Sequence, residues 1–215
     1  MTQRGKFITL EGPEGSGKST HAKAVVARLA AGNYPVIAVR EPGGTRVGEA
    51  IRRLLQQDAG DEPLCSEAEL FLFMASRAQL VTRVILPALA KGVHVICDRF
   101  ADSTSAYQGY GRGVDLDRIL AINDLAVQGL LPDLTLLLDI PVSAGFERVR
   151  ARNAGDQSRQ DRIESESQAF HERVRAGYLD LARRWPNRIQ RIDTSGAAAE
   201  VEEEIWRVVK RVIER

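Results

Sequence analysis

The sequence predicts an α/β protein of one domain, residues 1–215: a three-layer α/β/α fold with a five-stranded parallel sheet and flanking helices. Three observations predict it. Short apolar runs alternate with helical periods along the chain, the pattern of a doubly wound sheet. Most of these runs are apolar on both faces, as in a parallel sheet covered by helices. The first run leads straight into a glycine-rich turn and a helix, which places ligands at the carboxyl ends of the strands.

The elements follow in order. The first strand is "FITLE" (7–11), and the turn "EGPEGSGKST" (Glu11–Thr20) leads to a helix whose Ala22, Val25, Val26 and Leu29 keep helical spacing until "AGNYP" ends it. The second strand is "VIAVRE" (36–41), followed by the turn "REPGGT" and a shorter helix over 45–57, broken by "AGDEP". Ser66 is suited to cap a long helix toward Lys91, disturbed at Pro87 because proline lacks the donor a helix interior needs. The third and fourth strands are "VHVICD" (93–98) and "LTLLLDI" (134–140), and "IQRID" (189–193) is a weaker fifth. Further helices are expected near 115–129, 142–153 and 163–185, and the last helix carries the stripe Val201, Ile205, Val208, Val209, Val212.

Composition narrows the function classes. A formal net charge of +1 gives no global attraction to nucleic acid or membrane, and neither partner is expected. Cys65 and Cys97 lie too far apart for a metal or disulfide pattern. The N-terminus "MTQRGKFITL" lacks a long apolar region, and no apolar run approaches membrane-spanning length, so a cytoplasmic protein is expected.

The chemistry starts at Gly12-x4-Gly17-Lys18-Ser19, a P-loop pattern in its proper place between strand and helix. Gly12, Pro13, Glu14, Gly15, Ser16, Gly17, Lys18, Ser19 and Thr20 are expected to hold a nucleoside triphosphate. Backbone N–H groups turn inward around phosphate oxygens, Lys18 adds a point charge, and Ser19 places a hydroxyl on Mg2+. A second metal ligand should close another strand. Asp98 and Asp139 both do so, and Asp98, followed by Arg99, is preferred. Glu14 is the oddity, because it sets an acid among phosphates.

A second site is written elsewhere. "REPGGT" (Arg40–Thr45) makes a shaped turn. On the long helix, Leu70, Phe73, Arg77, Leu80 and Val84 share a face, and Phe73 and Arg77, one turn apart, can flank a flat, partly polar object. "DRFADSTSAYQGYGRG" (Asp98–Gly113) offers hydroxyls, Tyr107 and Gln108 to a sugar and a base edge, or, more plainly, a capped helix and a glycine loop.

Together, "EGPEGSGKST", "REPGGT", "FMASRAQL", "CDRFADSTSAYQG" and "DRIE" resemble thymidylate kinase of the bacterial kind, over nearly the whole chain. The resemblance implies transfer of the ATP γ-phosphate to dTMP. Phe73 would stack on thymine, and Arg77 and Thr104 would hydrogen-bond the base. Tyr107, with Gln108 nearby, would favour deoxyribose, Glu41 and Pro42 would line the site, and Arg99 would hold the acceptor phosphate. Glu14 would accept from the 3′-hydroxyl or a water beside it, and Asp98 would help order Mg2+. A homodimer is expected on the same ground.

Some thymidylate kinases carry an arginine inside the phosphate loop. Here residues 13–16 are Pro-Glu-Gly-Ser, so the positive charge must come from elsewhere. The polar, arginine-rich segment at about 150–162, a solvated loop when read alone, is the source the resemblance implies, as an arginine-rich lid over ATP, with Arg150, Arg152 and Arg159 as catalytic candidates beside Lys18 and Arg99, and Arg162 a further candidate. Arg148 is placed to stack on adenine. Two competing readings are a P-loop kinase acting on another nucleoside monophosphate, and a nucleotide-dependent switch, which would need a partner surface rather than a second small pocket.

Overall fold

A computed structural model describes residues 4–56, 62–152 and 162–214. The five strands are β1 (Phe7–Glu11), β2 (Val36–Arg40), β3 (His94–Asp98), β4 (Leu134–Asp139) and β5 (Ile189–Asp193). They form one parallel sheet in the order β2-β3-β1-β4-β5. β1 and β4 are buried along their length, whereas the edge strands β2 and β5 are partly exposed. This explains why "IQRID" is the faintest strand in the sequence: an edge strand has less apolar contact to make.

The helices are α1 (Lys18–Ala31), α2 (Arg46–Gln56), α3 (Ser66–Leu80), α4 (Leu86–Ala90), α5 (Ala101–Thr104), α6 (Leu116–Val127), α7 (Val142–Arg152), α8 (Gln168–Arg184) and α9 (Ala198–Ile213). On one face of the sheet Ile8, Leu10, Leu136 and Leu138 pack with Leu29 of α1 and Val201, Ile205, Val208 and Val209 of α9. On the other face Phe7, Val95 and Cys97 pack with Leu80, Ile85 and Leu89. The α9 stripe thus lies where its period predicts.

Three departures from the sequence reading have local causes. The disturbance expected at Pro87 falls one turn earlier, as a π-helical stretch Val81–Ile85 joining α3 to α4. The wider turn relieves the clash between the proline ring and the carbonyl four residues back. The glycine-rich end of "DSTSAYQGYGRG" is not a loop: α5 continues into a second π-helical stretch, Ser105–Gly111. Gly111 is needed there because the Phe170 ring lies 2.6 Å from where its Cβ would stand. The helix expected from 163 begins at Gln168, where Ser167 caps it by accepting from Phe170 N at 3.3 Å.

The span Ser66–Ala90 is long and apolar enough by composition to cross a membrane. Its Leu70, Met74, Leu80, Val81, Ile85 and Leu89 are instead buried in the protein core, and Glu69 and Arg77 are buried with ion-pair partners.

Register positions the site. Leu10 of β1 lies opposite Asp98 of β3, and Arg40 of β2 lies opposite the same Asp98. The three loops that leave these strands, with the phosphate loop in the middle of the sheet, therefore emerge side by side.

Candidate active site

A cavity of about 400 Å3 opens above these strand ends. The phosphate loop forms one side. Lys18 is buried, and its Nζ donates to Pro13 O at 2.7 Å and Ser16 Oγ at 3.3 Å. Burial, and then the nearby Arg99 charge, bring its pKa down to about 8. Ser19 Oγ donates to Asp98 Oδ2, so the two oxygens expected at a metal already meet. Asp139, the other acid considered, does not join them. It sits between Arg175 (2.8 and 3.1 Å) and Arg191 (2.9 Å) and ties β4 to α8 and β5.

Arg99 has φ +69°, unusual for a residue with a side chain. The buried Glu11 holds this turn: its Oε1 accepts from Phe100 N at 2.7 Å and Ser103 N at 3.2 Å, and its Oε2 from Ser103 Oγ at 2.5 Å. Burial, and then the Asp102 charge, lift Glu11 to about 7 against those hydrogen bonds. The turn sends Arg99 back over the phosphate loop. Nη2 donates to Glu14 Oε1 at 2.5 Å and Nη1 to Gly12 O at 3.3 Å, with the guanidinium 5.1 Å from the Tyr107 ring centre. Tyr107 Oη also donates to Glu14 Oε1, at 2.8 Å. Burial alone would raise Glu14, but Arg99, Lys18 and the Tyr107 hydroxyl hold it down at about 2. The odd acid of the loop is thus an ionised anchor for Arg99.

Arg77, on the apolar face of α3, is almost fully buried. Each of the five N–H groups of a guanidinium has an acceptor here: Glu41 Oε2 twice (2.9 and 2.5 Å), Thr104 Oγ1 (2.9 Å), Asn123 Oδ1 (2.7 Å) and Phe100 O (3.0 Å). It stands behind the cavity wall and orients Glu41 and Thr104, which line it. Glu41 Oε1 is buried with no partner among the described residues. Pro42 follows a cis peptide bond.

The other site residues read from the sequence fall as follows. Glu14, Gly15, Gly17, Lys18, Ser19, Thr20, Glu41, Pro42, Phe73, Asp98, Arg99, Thr104, Tyr107, Gln108 and Arg152 line the one cavity. Gly12, Pro13 and Ser16 lie in the loop behind its surface. Gln108 lines the wall but spends its amide on Glu69 Oε1, at 2.7 Å. Arg152 pairs with Glu164 at 3.0 Å, and Arg150 borders a smaller cavity beside Glu14 and Glu164. Arg148 donates to Thr194 O at 2.8 Å, bridging α7 and the loop after β5. Arg162 donates to Glu69 and to Leu55 O at 3.4 Å, tying the chain before α8 to α3 and α2. Arg159 lies outside the described residues.

Glu11, Glu69 and Ser103 are missing from the sequence reading. Glu11 and Glu69 left a legible signal: an acid closing an otherwise apolar strand, and an acid one turn before Phe73 on an apolar helix face. Both are buried with partners, as such charges must be.

A parallel sheet of this order, with a phosphate loop after its central strand and a second wall facing that loop, defines a kinase of the P-loop nucleoside monophosphate kinase fold. A sequence model described as thymidylate kinase matches residues 10–205, and the chain belongs to the thymidylate kinase family. The thymidylate kinase of Desulfosudis oleivorans is 49% identical over 208 residues, which cover 96% of this chain and 97% of that one. That of Pseudomonas putida is 46% identical over 211 residues, 98% of each chain. The crystal structure of thymidylate kinase from Ehrlichia chaffeensis superposes with a TM-score of 0.76 at 33% identity, covering 96% of this chain and 99% of that one.

Proposed function

We propose that the protein transfers the γ-phosphate of ATP to dTMP, giving ADP and dTDP. One observation carries this reading: Lys18 and Ser19 of the phosphate loop share a single cavity with Phe73, Thr104, Tyr107 and Gln108. Two substrates placed in it would meet phosphate to phosphate, and phosphoryl transfer depends mostly on such positioning and on charge neutralisation.

On this reading the phosphate loop holds the ATP phosphates, with Lys18 uncurling from Pro13 O toward them, and Arg148 lies beside the adenine. Arg99, pinned by Glu14, grips the acceptor phosphate. Phe73 stacks on thymine, and Thr104, set by Arg77, meets the base edge. The unpartnered Glu41 Oε1 offers an acceptor to a donor on the ligand. Tyr107 crowds the sugar's 2′ position with Gln108 beside it. Glu14 faces the sugar hydroxyl, directly or through water, while keeping Arg99.

Ser19 and Asp98 would hold Mg2+. Their oxygens already meet, and a carboxylate with a hydroxyl suits a hard cation. When bound, Mg2+ spreads the charge of the outer phosphates. Arg150, Arg152 and Arg159 are the sources of further positive charge in an arginine-rich lid, and Arg152 is supported by its place in the cavity wall. The chain works as one cytoplasmic domain, and as a homodimer. The dimer is read from the family; Phe71 of α3 and Leu125 of α6 are exposed apolar side chains that such an interface would cover.

The test is ADP formation from ATP and Mg2+ with and without dTMP. The proposal expects ADP to appear in step with dTDP and only when dTMP is present. ADP that forms at the same rate without an acceptor would return the protein to the class of nucleotide switches.

A further inference from the structure

We infer that Gly145 is a positioning residue for phosphoryl transfer, because it seats the arginine-bearing helix α7 directly on the phosphate loop. This rests on the function proposed above. The contact is backbone against backbone. A Cβ built on Gly145 would stand 2.3 Å from Glu14 O, and one built on Gly15 would stand 2.2 Å from Gly145 O and 2.7 Å from Gly145 Cα. Ordinary contacts of this kind begin at 3.4 Å. Neither glycine can therefore gain a side chain unless loop and helix part by about 1 Å, a displacement of the size that can cost on the order of 100-fold when it falls on a reacting group.

The consequences run in both directions from the contact. Glu14, whose carbonyl touches Gly145, anchors Arg99, and Gly15 belongs to the loop that cradles phosphate. Beyond Gly145 the same helix carries Arg148, which bridges to Thr194 O, Arg150, and Arg152 in the cavity wall. Val149, one turn along from Gly145, is also buried. The loop has no arginine of its own, so the positive charge of α7 is useful only at a fixed distance from it. The glycine pair sets that distance.

The experiment is Gly145→Ala, with four readouts: kcat, equilibrium binding of a non-hydrolysable ATP analogue, equilibrium binding of dTMP, and the unfolding temperature. Alanine ordinarily favours a helix over glycine, so a loss of activity here reports the clash with the phosphate loop and not a loss of helix propensity. The inference predicts that kcat falls by about 10- to 100-fold. ATP-analogue binding should weaken by about three- to tenfold, a small share of what a 1 Å displacement can cost a reacting group, and dTMP affinity, reached through Glu14 and Arg99, should fall by less than kcat does. A kcat within twofold of the parent overturns it. So does a loss of dTMP affinity and unfolding temperature in proportion to kcat, which means general damage. If the parent itself shows no dTMP-dependent turnover, the functional reading fails separately, and ATP-analogue binding still decides the contact. Should Gly145→Ala not fold, Val149→Ala loosens α7 without a clash beside Glu14, with which Val149 lines the smaller cavity. It should lower kcat about threefold with a smaller loss of dTMP affinity, and an unchanged kcat there also overturns the inference.

Discussion

At the scale of single residues, the site is built from charges that hold one another. Half-buried Glu14 pairs with half-buried Arg99, and buried Lys18 lies close enough to feel both charges. Arg99→Ala is expected to lower kcat/KM for dTMP by on the order of 100-fold or more, because it removes the acceptor-phosphate contact and leaves Glu14 without its ion pair. Steady-state kinetics check this, and a loss below about tenfold would reassign Arg99 to structure. The depressed pKa of Lys18, about 8, gives a signed pH dependence. The ammonium is present below that value and is lost as pH rises through it, so kcat/KM for ATP, which reports the free enzyme, should decline above about pH 8. In kcat the same limb should move to higher pH, since bound phosphates favour the charged lysine. Tyr107→Ala should narrow the preference for deoxyribose over ribose at the acceptor sugar, and an unchanged ratio of kcat/KM for dTMP and its ribonucleotide analogue would remove that role. Much of this was legible residue by residue, because Lys18, Ser19, Asp98 and Arg99 sit in patterns fixed by local spacing. The pairing of Glu14 with Arg99 was not. It depends on a positive φ that Glu11 enforces across the sheet, and no spacing rule carries that.

At the scale of elements, α3 is the part that links core to site. Its apolar face enters the core, and the same face carries Arg77 into a ring of acceptors from the loops after β2 and β3, from α5 and from α6. Arg77→Ala would leave Glu41 buried without its counter-ion. It is expected to destabilise the fold by about 3–5 kcal/mol, seen as a lower urea midpoint with an unchanged slope. A variant as stable as the parent would mean that water or a rearranged Glu41 replaces the pair. The elements themselves were largely legible. Four of the five strands are plain apolar runs, and the helices show their periods. What the sequence could not reveal were the two π-helical stretches, which answer Pro87 and the packing at Gly111, and the late start of α8, which waits for Ser167. The first moves Pro87's effect back by a turn, the second answers Phe170, distant in the chain, and the third is a capping choice among several serines.

At the scale of the whole molecule, strand order does the work of assembly. Placing β1 between β3 and β4 brings the phosphate loop beside Asp98–Arg99 and the cis-proline turn, and α3 closes the far wall. The order of strands is not written in any one of them, so one shared cavity could be expected from the motifs only through their resemblance to a known family. The outer surface adds a further expectation. Leu125, 81% exposed on α6, is idle in a monomer but buried in the proposed homodimer. Light scattering should give a dimeric mass for the parent and a lower mass for Leu125→Glu, whereas a monomeric parent would remove the dimer from the account. The central claim is that the wall opposite the phosphate loop is shaped for dTMP. It is tested most directly by kcat/KM for ADP formation across a panel of nucleoside monophosphates at fixed ATP and Mg2+. The account predicts that dTMP leads the panel, with ribonucleotides and purine nucleotides well below it. Equal rates across the panel, or a lead for another nucleotide, would contradict it.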